Sequence, residues 1–174
     1  TVKGNSEDSL LTSSGTVFIK NATVELDVLV NDGSLTLDDN AEVLGDMILN
    51  NGELNLSGTG LKLDEGGRII LQSSDTIEEA SRTMNVKQDL TLGGALVVNA
   101  DGVLNVSTNR NLYLAGSLEG NAELALQGRG KVTIQNSSDQ FSGTLSVGDY
   151  STLAGETSGA FGNASSTLKI SGER

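Results

Sequence analysis

The phrase Gly-x-Φ-x-Φ, with Φ an aliphatic residue, recurs along this chain and constrains its fold more than any other feature. It stands at Gly15-Thr-Val-Phe-Ile19, Gly33-Ser-Leu-Thr-Leu37, Gly52-Glu-Leu-Asn-Leu56 and Gly67-Arg-Ile-Ile-Leu71. It returns at Gly94-Ala-Leu-Val-Val98, Gly102-Val-Leu-Asn-Val106, Gly130-Lys-Val-Thr-Ile134 and Gly143-Thr-Leu-Ser-Val147. Each copy reads as a turn residue followed by a short strand with one apolar face, because successive strand side chains point to opposite sides. A chain that repeats such a unit builds a stack rather than a single closed core.

The spacing gives the coil length. Gly15, Gly33 and Gly52 are 18 and 19 residues apart; Gly102, Ala122, Gly143 and Ser166 follow at 20, 21 and 23. Further short strands fall between them, at Ala22-Thr-Val-Glu-Leu26, Asp46-Met-Ile-Leu49, Asp89-Leu-Thr-Leu92 and Asn111-Leu-Tyr-Leu114. Two or three strands per 18–23 residues predict an all-β, right-handed parallel β-helix of about seven to nine coils, a rod on the order of 40 Å long at about 4.8 Å per coil. Leu, Val and Ile then stack inward, with Gly and Asn at the corners. Asp32-Gly33, Asn51-Gly52 and Asp101-Gly102 resemble hairpin turns. The repeat of one phrase in register, at a spacing too short for a propeller blade, favours the helix over sandwiches and propellers.

Composition agrees. The 174 residues include 22 glycines but no proline, cysteine, histidine or tryptophan, and aromatics are only 3%. The core must therefore be built from aliphatics in thin layers. Proline would remove amides needed by neighbouring coils. The regular apolar alternation argues against disorder, despite the glycine and acidic content.

Residues 73–88 break the pattern. Thr76 and Glu79 have capping-box spacing, which predicts a loop or short helix inserted between coils.

The formal net charge of −12 disfavours nucleic acid and anionic membranes as partners. No run of about 18 apolar residues offers a membrane-spanning helix. The first residues carry neither a signal-peptide pattern nor a starting Met, so the chain reads as one β-helix segment, 1–174, of a longer protein.

Without His or Cys, histidine triads, thiol nucleophiles and imidazole or thiolate metal sites are excluded. Carboxylate chemistry is left, with Asp38-Asp39, Asp64-Glu65 and Glu78-Glu79 as the adjacent pairs. Neighbours on a strand face opposite ways, so these pairs read as solvated turn residues. No calcium-binding nonapeptide, EF-hand or phosphate loop occurs. Asn21-Ala-Thr23, Asn55-Leu-Ser57 and Asn163-Ala-Ser165 have sequon form, but turn formation accounts for them. No catalytic residue, metal ligand or cofactor is assigned, and the binding residues are undefined.

The stretch Gly130-Lys-Val-Thr-Ile-Gln-Asn-Ser-Ser-Asp-Gln-Phe-Ser-Gly-Thr-Leu-Ser-Val147 resembles the passenger-associated repeat of bacterial type V autotransporters. It has a strand, an Asn-containing turn, the aromatic-x-Gly step Phe141-Ser-Gly143, and then Gly-x-Leu-x-Val. Ala160-Phe-Gly-Asn-Ala-Ser-Ser-Thr-Leu-Lys-Ile170 is similar to the family's continuation. The likeness covers residues 130–172; earlier coils match in composition and period alone. It implies an adhesin-type passenger of the diffuse-adherence or pertactin-like groups, displayed outside a Gram-negative outer membrane by a C-terminal β-barrel of the same full-length chain. No serine-protease module is recognisable.

The implied function is non-enzymatic: adhesion, autoaggregation or biofilm formation as a virulence-associated surface protein. The partner would be a host-surface protein or glycan, or another copy of the chain. One alternative is a stalk and folding unit holding an adhesive tip. Another is a polysaccharide-processing β-helix enzyme or tailspike, for which Asp64 is the residue to test.

Overall fold

The computed structural model of the chain describes residues 10–73 and 80–171. They contain no helix and form 21 short strands, all paired in parallel, that wind into a β-solenoid of about seven turns. Face 1 has seven strands: β1 (Leu10–Ser13), β4 (Asp27–Val30), β7 (Met47–Leu49), β9 (Ile69–Leu71), β12 (Leu96–Val98), β15 (Leu118–Gly120) and β18 (Gln140–Phe141). Face 2 has eight: β2 (Thr16–Ile19), β5 (Ser34–Leu37), β8 (Gly52–Leu56), β10 (Arg82–Val86), β13 (Gly102–Val106), β16 (Glu123–Gln127), β19 (Thr144–Val147) and β21 (Thr167–Ile170). Face 3 is divided. β3 (Thr23–Val24) pairs with β6 (Glu42–Val43), and a separate four-stranded sheet holds β11 (Leu90–Leu92), β14 (Asn111–Leu114), β17 (Lys131–Ile134) and β20 (Thr152–Gly155).

The apolar alternation does what a stack requires. Leu35, Leu54, Met84 and Leu104 lie one above another on face 2, all buried, and Leu37, Leu56, Val86 and Val106 form the next column. Burial of such columns is the main favourable term in folding. Phe141 is the largest fully buried side chain, filling the interior at β18. Two residues on, a Cβ at Gly143 would run into the backbone at Ala122, which is why the Phe141-Ser-Gly143 step needs glycine. At the last strand the columns end: Leu168 is 44% exposed and Ile170 76%.

The Gly-x-Φ-x-Φ phrase proves to mark strands on all three faces rather than one equivalent position per coil. Gly67 and Gly94 lead into face 1, and Gly130 leads into face 3. Gly102 and Ala122 are not equivalent either. Gly102 pairs with Leu124, so face 2 slips by two residues between β13 and β16. A two-residue slip keeps apolar side chains inward because the strand period is two. Asp32-Gly33, Asn51-Gly52 and Asp101-Gly102 are corners between parallel strands, not hairpin turns.

The steps along face 2 run from 18 residues (Thr16 to Ser34) to 23 (Thr144 to Thr167), except Gly52 to Arg82, which takes 30. The extra length falls between β9 and β10. The expected loop or helix over 73–88 must be shortened, because Arg82–Val86 is the regular strand β10, in register with β8 and β13. Thr76 and Glu79, the capping-box residues, lie outside the described residues. Arg82 is buried beside this site, donating from Nε to the Gln72 carbonyl (2.8 Å) and from a terminal nitrogen to the Asp101 carbonyl (3.1 Å).

Candidate functional site

Rows of outward polar side chains on this rod are already engaged with the adjoining coil. On face 2, Asn105 donates to Asn85 (3.3 Å), Asn85 to Asn55 (2.9 Å) and Asn55 to the Thr36 hydroxyl (3.4 Å). At the corners, Asn40 donates to Asn21 (2.9 Å), and Asn50 donates to Asn31 (3.3 Å). Asn21 and Asn40 hold left-handed φ of 51° and 55°, a conformation Asn tolerates better than most residues.

The acidic turn residues have a related task. Asp27 accepts the amide of Asp46, Asp46 that of Arg68, Asp39 that of Thr59, Asp89 that of Asn111, and Asp101 that of Glu123. Each carboxylate therefore caps an amide one coil onward. Of these five only Asp39 reads from the sequence as a solvated turn residue; the other four stand about one coil length before a strand start, which is the signal they offer.

The carboxylate pairs separate accordingly. Asp38 accepts the Asp39 amide (2.8 Å), while Asp39 accepts from Thr59 and forms an ion pair with Lys20 (3.4 Å). The Thr59 amide, aided by Lys20, holds the Asp39 carboxyl below its usual range. Asp46 meets the Arg68 side chain at 3.0 Å and raises the guanidinium's affinity for its proton. Asp64 and Glu65 are exposed on the connection between β8 and β9. Glu78 and Glu79 lie outside the described residues. Among the described residues no group of three or more carboxylates is placed to hold a metal ion.

Face 3 is different. After β6 the ladder thins to one bridge, Glu42 with Lys62, and no strand forms at this level of the stack. The next contact is a hydrogen bond from the Gly93 amide to the Leu63 carbonyl (3.0 Å). Residues 57–68 are the cause: Gly58, Gly60, Gly66 and Gly67 punctuate a connection too irregular to complete the sheet. The break opens a cleft of about 520 Å³ lined by Gly60, Leu61, Lys62, Asp64, Asp89, Leu90, Thr91 and Tyr113. A second cleft of about 330 Å³ adjoins it through the shared Lys62, with Asn21, Ala22, Thr23, Asn40 and Glu42 along its wall.

This groove is the candidate site. Leu61 and Leu90 give it an apolar floor; Thr91 and Tyr113 are half-buried, while Lys62, Asp64 and Asp89 are exposed. Among the described residues, the side chains of Lys62, Asp64, Thr91 and Tyr113 make no hydrogen bond or ion pair, unlike the laddered asparagines. Of these residues only Asp64 stood out in the sequence. Comparison with protein-family models, curated proteins and solved structures finds no match to this chain, so its function is read from this surface and from the repeat.

Proposed function

We propose that the chain is a non-enzymatic β-helical segment of a cell-surface passenger that contributes to adhesion, autoaggregation or biofilm formation. The observation carrying this reading is the form of the rod: thin parallel coils, an aliphatic interior and rows of Asn, Thr and Ser along its outside. The Phe141-Ser-Gly143 step, which resembles the passenger-associated repeat, supports delivery by a C-terminal β-barrel to the outer surface of a Gram-negative cell. Partners of this rod are a host-surface protein or glycan, or a second copy.

Beads coated with the purified chain should cluster, or adhere to epithelial cells, more than beads coated with albumin. Equal behaviour of the two would overturn the adhesive reading. One observation favours the stalk alternative for face 2: the amides of Asn55, Asn85 and Asn105 donate within their own ladder, which leaves them less able to engage a partner. If beads stay inert while deletion of whole coils from the full-length protein impairs display, the segment is a stalk.

A further inference from the structure

We propose that the face-3 groove binds a linear, uncharged glycan, with Lys62, Asp64, Asp89, Thr91 and Tyr113 as its contact residues. The inference rests on the adhesive reading and names its ligand class. The groove combines an apolar floor with the side chains of Lys62, Asp64, Thr91 and Tyr113, which have no partner among the described residues, and with Asp89, which accepts the Asn111 amide through one carboxylate oxygen. That mixture suits a ring with apolar C–H faces and hydroxyls at its rim: the Tyr113 ring supplies a flat surface, carboxylates accept from hydroxyls, and Lys62 donates.

Charge and shape narrow the class. The two clefts carry the carboxylates of Glu42, Asp64 and Asp89 against the single ammonium of Lys62, and the chain as a whole is at −12. Polyanions, nucleic acids and phosphorylated ligands are therefore repelled. An added peptide strand does not suit the break, because the 3.0 Å bond from Gly93 to Leu63 holds the two coils together there. Thr23, Glu42 and Lys62 succeed one another on adjacent coils, at a rise of about 4.8 Å per coil. One sugar of a 1→4-linked chain advances by a similar length, so successive coils meet successive sugars.

The test is calorimetric titration of the folded chain with hexamers of β-1,4-glucose, β-1,4-N-acetylglucosamine, β-1,4-xylose and β-1,4-mannose, with hexagalacturonate as the anionic control. At least one neutral hexamer should bind saturably, and the control should not. Tyr113→Ala should weaken binding by roughly tenfold or more, equivalent to about 1.4 kcal/mol. Asp64→Asn should weaken it less; it alters an exposed group without a hydrogen bond among the described residues, so loss of folding cannot account for its effect. Ser146→Ala on face 2 should leave binding unchanged.

The proposal is overturned if no neutral hexamer binds, if hexagalacturonate binds equally well, or if both groove variants bind like the parent. The bead assay separates the two claims: adhesive beads together with no hexamer binding remove the glycan site and keep the adhesive reading. Hexamer binding together with inert beads does the reverse.

Discussion

Faces 2 and 3 are built from the same kind of strand, yet one is a finished ladder and the other is broken. On face 2 every coil contributes a strand, and the outward Thr36, Asn55, Asn85 and Asn105 spend their hydrogen bonds on one another. On face 3 the coil between β6 and β11 contributes only the bridge at Lys62, and the side chains of Lys62, Asp64, Thr91 and Tyr113 beside it have no partner among the described residues. Regular pairing consumes side-chain chemistry, whereas a missing strand releases it. The groove exists because the repeat fails locally.

The comparison can be broken most forcefully at the corners. Gly52 holds φ of 116°, and a Cβ there would enter the backbone of Gly33, so Gly52→Val should cost about 3 kcal/mol or more, or prevent folding. On the approach to the groove, Gly60 has φ of 73°, which Asn accepts, and its Cβ would meet only the side-chain oxygen of Asn40 at 2.6 Å. Gly60→Asn should therefore cost about 1 kcal/mol or less. Urea unfolding of the two variants measures the difference.

Core truncation comes next. Leu104→Ala, in the middle of face 2 and fully buried, should lose about 2–5 kcal/mol. Leu90→Ala removes a residue 6% exposed at the floor of the cleft, where solvent can enter the space created, and should fall at the low end of that range. An equal loss would mean that the break does not loosen the packing beneath it.

Smaller effects sharpen the contrast in surface chemistry. Asn85→Ala interrupts the ladder on both sides and should cost about 1 kcal/mol, while Thr91→Ala on face 3 should stay within about 0.5 kcal/mol. The smallest effect is electrostatic. The Asp39 carboxyl has its folded-state pKa depressed by the Thr59 amide and Lys20. Its contribution to stability is thus present above the ordinary value near 4 and lost as pH falls through the lower folded value. Melting temperatures followed from about pH 5 downward should show a shallower decline for Asp39→Asn than for the parent.

The parallel stack and its aliphatic columns were legible because burial imposes a period of two on every strand, visible in Leu35-Thr-Leu37 as in Leu104-Asn-Val106. Assignment to faces was not, since Gly67 and Gly102 begin the same phrase while turning different corners. The slip at Leu124 was hidden for a related reason: a shift of two residues leaves the apolar pattern unchanged. The groove escaped notice because it is defined by a ladder that stops. Lys62, Thr91 and Tyr113 are far apart in sequence and share no motif. Only the run of glycines from Gly58 to Gly67 marked the place.

The corner carboxylates have a consequence for how such a rod assembles. Asp27, Asp39, Asp46, Asp89 and Asp101 each accept an amide that comes later in the chain. Ser138 runs the other way, accepting from Leu118. Backbone amides run both ways, as Val28 donates to Asp46 and Met47 to Arg68, but these five side-chain acceptors all face the coil that follows. The corners thus carry a direction that the sheets lack: like the step of a crystal, each layer presents carboxylates to the amides of the next.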